Sequence, residues 1–85
     1  MTDLTKLPEI GAVTARQLKA VGIEDAETLR EVGARQAFGR IRSQLDPGAC
    51  LALLRGLEAA TRGIRAVELP PQDKAELLAW YKHLD

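Results

Sequence analysis

The sequence predicts an all-α protein, a compact orthogonal bundle of about five short helices with short joints. Three observations predict it. Leu, Ala, Arg and Glu dominate while β-branched residues are few and scattered, a mix that favours helix over sheet. Apolar residues recur at three- and four-residue spacing. Gly and Pro fall between the periodic segments, where they delimit helices. With 85 residues, 46% of them hydrophobic and 28% charged, the chain is expected to form one domain (residues 1–85) around a single core.

The elements follow in order. Residues 1–6 read as a lead-in with a short helical turn. Pro8 disfavours helix at Leu7, and Gly11 permits a left-handed or close-approach backbone. A first helix is expected over Val13–Val21, with Thr14, Leu18 and Val21 on one face and Arg16 and Lys19 on the other; Gly22 has the character of its C-terminal stop. Asp25 is a candidate N-cap for the second helix, with Glu24 and Glu27 at the positive end of its dipole, Leu29 and Val32 as an apolar edge, and Gly33 as the stop.

The third helix is expected over Ala34–Gln44, with Ala34, Phe38, Ile41 and Leu45 as a core stripe. Gly39 within it reads as a mark of close helix packing. Asp46-Pro47-Gly48 is a helix-start signal, Asp as N-cap and Pro in the first turn, so the fourth and most buried helix is expected over Pro47–Arg62. Its apolar face is Cys50, Leu53, Leu54, Leu57, Ala60 and Ile64; Arg55, Glu58 and Arg62 lie opposite, and Gly63 ends it. Residues 67–71 read as an extended linker. A last helix over Pro71–Leu84 places Leu77, Trp80, Tyr81 and Leu84 on one face.

Composition excludes several classes. One Cys allows no internal disulfide, and its apolar setting predicts a buried, inert thiol at Cys50. The N-terminus has no apolar signal core and no run reaches membrane-spanning length, so the expected location is the cytoplasm. A single His (His83), a single Ser (Ser43) and no phosphate-loop or dinucleotide fingerprint leave no catalytic, cofactor or metal constellation. The expectation is a non-enzyme.

The opening corner, Leu7-Pro8-Glu9-Ile10-Gly11 followed by Thr14-Ala15 and Leu18, has two readings. It can be a structural turn that sets the angle between helices. It can also present free N–H groups at a helix N-terminus to a phosphate. The corner resembles the hairpin of helix-hairpin-helix domains, although Glu9 stands where the first glycine of that hairpin usually sits and no base follows Gly11. Both departures favour the structural reading.

Charge is balanced overall, 12 cations against 12 anions, where nucleic-acid domains usually carry a basic excess. It is nonetheless segregated: residues 24–31 carry net −3 and residues 34–45 net +3, from Arg35, Arg40 and Arg42. Pairing or solvation of those helices is the first reading; a small basic surface, with Arg35 and Arg42 on one helix face, is the second. Trp80 and Tyr81 are expected to close the core, with an interface role as the alternative.

The ordered set Leu7-Pro8-Glu9-Ile10-Gly11, Thr14 to Leu18, Val21-Gly22-Ile23, Leu29, Val32-Gly33-Ala34, Ala37-Phe38, Cys50-Leu51 through Leu54, Leu57-Glu58 and Ala60, Gly63-Ile64, and Leu69-Pro70 with Lys74 and Leu77 resembles the C-terminal domain of the TfoX/Sxy family of competence regulators. The resemblance covers nearly the whole chain. It implies a helical domain related to helix-hairpin-helix folds. In longer members that domain follows an α/β domain, and the protein is a positive regulator of DNA-uptake genes working with a transcription activator. It supplies no catalytic residues. This chain opens at the C-terminal module and reads as that domain standing alone. Ala66 stands where an aromatic is expected.

The functional expectation is a cytoplasmic binding module, without cofactor, metal or membrane contact, that engages an unidentified protein partner in transcriptional or competence-type regulation. The alternative is weak, sequence-independent binding of a nucleic-acid backbone through Ile10, Gly11, Arg16, Lys19, Arg35 and Arg42. Trp80 and Tyr81 are the candidate interface. Oligomeric state is left open.

Overall fold

The computed structural model describes Met1–Leu84. Among these residues the fold is all-α: α1 (Ala12–Ala20), α2 (Ala26–Val32), α3 (Ala34–Gln44), α4 (Leu51–Arg62) and α5 (Pro71–Lys82), with 3-10 turns at Leu4–Lys6 and Ala66–Glu68. Asp3 caps the first turn, its carboxylate accepting from the Thr5 amide at 2.8 Å and the Thr5 hydroxyl at 2.7 Å. These two bonds, the side-chain one foremost, hold the Asp3 carboxyl below its ordinary range. The turn matters because it carries Leu4 fully into the core.

The helix stops expected from glycine are present where left-handed backbone is required. Gly22 has φ +87°; its N–H donates to Lys19 O and the Ile23 N–H reaches back to Leu18 O at 2.9 Å, the paired bonds of a Schellman stop. That turn brings Ile23 into the core. Gly33, at φ +88°, is the single residue between α2 and α3. Asp25 caps α2 through the Thr28 amide at 2.8 Å.

α3 and α4 form the central seam; α2 packs on both, α1 on α3, and α5 on α4. Phe38 lies fully buried near the middle of α3. Trp80 and Tyr81 meet its ring edge-on, at centroid separations of 6.1 and 5.9 Å. Such geometry places positive ring edges against negative faces and adds about 0.5–1.5 kcal/mol per pair beyond area burial.

Several expectations are corrected. α4 begins at Leu51, not Pro47. Asp46 caps a local turn instead, its Oδ1 accepting from the Gly48 amide at 3.0 Å while its carbonyl accepts from Ala49. Both hydrogen bonds are complete within residues 46–49, so nothing drives the chain into helix there. Cys50 therefore precedes the helix and is exposed, not buried. Leu45, at the last stripe position, follows the end of α3 and is 44% exposed. Gly39 packs against no close neighbour: a Cβ built there meets nothing within 4 Å. The 67–71 linker is partly a 3-10 turn, and α5 ends at Lys82.

Candidate functional site

The corner is built on Glu9. Glu9 is the non-glycine residue with positive φ (+69°), whereas Gly11 is extended at φ −91°, ψ −175°. The left-handed position is thus two residues earlier than the sequence suggests. The reason is on the side chain. Glu9 Oε2 accepts a 3.0 Å hydrogen bond from the Ala66 amide at the start of the second 3-10 turn. Glu9 Cβ also lies 3.6 Å from where a Cβ on Gly56 of α4 would stand. The tertiary bond offsets backbone strain that costs about 1–2 kcal/mol in the left-handed region. Pro8 and Ile10, the latter buried, complete the turn.

Beyond the hairpin, Gly11 is exposed and α1 begins without a side-chain cap or an acid in its first turn. Its first amides therefore have no acceptor from a capping side chain. Val13 is 63% exposed beside them, and Arg16 is exposed one turn on.

The other expected contact residues are dispersed. Ile10 is buried; Gly11 and Arg16 belong to the corner. Lys19 lines a groove with Asp3, Glu24 and Asp25, an acidic setting unsuited to a phosphate. Arg35 and Arg42, though on one helix, face different grooves. The Arg35 guanidinium stands 5.9 Å from the Trp80 ring centroid, within cation–π range, above a groove with Glu58, Arg62, Asp73 and Glu76. Half-buried Arg42 lines a second groove with Gly39, Ser43, Pro47 and Leu84. Arg40, the third cation of α3, donates to Val21 O at 3.3 Å and so satisfies a carbonyl at the end of α1. Trp80 and Tyr81 are half-buried against Phe38.

Two polar arrangements carry little or no local sequence signal. Glu27 takes both the Thr2 amide (2.8 Å) and the Thr2 hydroxyl (2.7 Å), and Thr2 O accepts from the Ala26 amide at 2.9 Å. Chiefly the hydroxyl bond, then the amide bond, pull the Glu27 carboxyl down to about 2. Arg62 bridges α4 and α5, pairing with Glu58 and with Asp73, each at 2.8 Å; the Asp73 bond first and the Glu58 bond second raise its pKa. The Glu58–Arg62 half, at i and i+4, is legible in the sequence. The Asp73 half is not.

Among the described residues no group of three or more His, Cys, Asp or Glu side chains gathers at metal-binding distance, and no helix is long and apolar enough to cross a membrane. The fully buried residues are all apolar or glycine; half-buried Arg55 is the exception among the described charged side chains in having its Nε buried without a hydrogen-bond partner.

Fold and corner together define a small all-α domain whose N-terminal hairpin is fastened to the 3-10 turn that follows α4. Residues 1–81 match the TfoX C-terminal domain. The chain belongs to that family. Two crystal structures are similar to it throughout: an uncharacterized protein from Listeria monocytogenes in a triclinic form, 36% identical with a TM-score of 0.94 over 98% of this chain and 93% of that one; and a protein of unknown function from Listeria monocytogenes in a tetragonal form, 36% identical with a TM-score of 0.93 over 98% of this chain and 100% of that one. No curated protein matches.

Proposed function

We propose that the domain is a non-catalytic binding module that engages a protein partner, in keeping with the regulatory setting implied by the TfoX resemblance. The observation that carries this reading is the Glu9–Ala66 bond. It joins the hairpin leading to Val13 with the turn that carries Val67, and these two side chains are 63% and 80% exposed. Rigid backbone, exposed apolar side chains and zero net charge suit a protein surface better than a polyanion. The use of Arg40 as a helix cap and of Arg35 against Trp80 supports the same choice.

The second reading is nucleic-acid backbone binding at the start of α1. It is favoured by the uncapped first turn beside exposed Arg16.

The test of the first reading is a photo-crosslinking side chain at Val13 or Val67, in cells that produce the protein. One discrete protein adduct at both positions, absent from a control site on exposed Arg30, is expected. Adducts with nucleic acid, or none at either position, would overturn it.

A further inference from the structure

We propose that α5 is a releasable strap that swings away from Pro70–Pro71 while the rest of the fold stays intact, uncovering Phe38. The proposal is independent of what the domain binds. It rests on how unevenly the core is distributed. The eight largest fully buried side chains are Phe38, Leu4, Leu18, Ile23, Leu29, Ile41, Leu54 and Leu57, and none of them lies on α5. Four residues of α3 and five of α4 are buried, but in α5 only Leu77. Trp80 and Tyr81 are half-buried, covering the Phe38 ring from one side. Further ties are the packing of α5 on α4, partly buried Leu84, the Arg62–Asp73 pair and the Arg35 guanidinium beside Trp80. Elements with few buried contacts open at lower free energy than the global unit.

The position of the hinge follows from the joint. Ala66 is held by Glu9, and Leu69 is buried. The chain is therefore anchored as far as Leu69. Pro70 and Pro71 come next; neither has an N–H with which to tie the joint down, and because both have fixed φ the rotation falls to ψ at Leu69 and Pro70. Beyond them, α5 is a continuous helix from Pro71 to Lys82 that can move as one body. Release removes one apolar layer and uncovers Phe38 together with the face of α4 on which α5 packs.

Trp80 is the only tryptophan, so its fluorescence reports α5 docking, whereas far-UV circular dichroism is dominated by α1–α4. In urea, the Trp80 transition is expected at a lower concentration than the main dichroism transition. In native-state hydrogen exchange, amides of residues 75–82 are expected to exchange through an opening that leaves residues 54–60 protected. Leu77→Ala and Asp73→Asn should each move the Trp80 transition further down and leave the main dichroism midpoint in place. Superimposable transitions in the wild-type protein, equal protection of α4 and α5, or a parallel shift of both midpoints in Leu77→Ala would overturn the proposal.

Discussion

The Glu9 carboxylate and the Ala66 amide, 57 positions apart in sequence, are joined by a 3.0 Å hydrogen bond that fastens the N-terminal hairpin to the turn after α4. Glu9 is the residue that combines this bond with left-handed backbone, at φ +69°. The two features oppose each other, and substitutions can separate them. Glu9→Ala loses the bond and keeps the strain. Glu9→Gly loses the bond and relieves the strain. Urea denaturation should therefore find Glu9→Gly more stable than Glu9→Ala by about 1 kcal/mol. The reverse order would show that the left-handed conformation is not a cost.

Gly39 occupies the interior of α3 with open space where a Cβ would stand. Gly39→Ala should therefore stabilise the domain by up to about 1 kcal/mol, because alanine restricts the unfolded chain and favours helix. A loss of stability in thermal unfolding would mean that a close contact is made there.

Phe38 and Leu45 occupy the same expected stripe but differ in the fold, one fully buried and the other 44% exposed. Phe38→Ala should cost about 3–5 kcal/mol, from lost burial plus the cavity left beneath Trp80 and Tyr81. Leu45→Ala should stay within about 0.5 kcal/mol. Equal effects in denaturant titrations would contradict the burial difference.

Glu27 fastens the N-terminal segment and has its carboxyl lowered from 4.5 to about 2, chiefly by the Thr2 hydroxyl and then the Thr2 amide. A depressed folded pKa gives stability that is present above the unfolded value and is lost as pH falls through the folded one. The wild type should exceed Glu27→Gln in stability at pH 7. That margin should shrink between about pH 4.5 and pH 2 and vanish below it. A margin independent of pH would remove the charged carboxylate from the account.

Cys50 precedes α4 and is exposed. A thiol reagent such as Ellman's should modify it in the native protein without denaturant. Reaction only on unfolding would return it to the core.

The helices were legible because their signals are local. Gly33 and the stripe from Ala34 to Ile41 set α3 at both ends, and Asp25 caps α2 where expected. The start of α4 lies later than the sequence predicts because Asp46-Pro47-Gly48 obeys the rules of a helix start and of a closed turn equally well; the Gly48 and Ala49 amides decide between them. The site was less legible. Glu9 to Ala66, Thr2 to Glu27 and Arg62 to Asp73 join residues 57, 25 and 11 positions apart, and none of them follows from helical periodicity. The hairpin could be found from Pro8 and Gly11. Which residue bears its strain, and what its carboxylate binds, depend on packing against α4.

Under the proposed function this corner is an architectural element of a protein-binding module and not a phosphate cradle. A fluorescence-anisotropy titration of the intact protein with a short DNA duplex at low ionic strength tests it most directly. No saturable binding is expected. Saturable binding that weakens steeply with added salt and is lost in Arg16→Glu would contradict it.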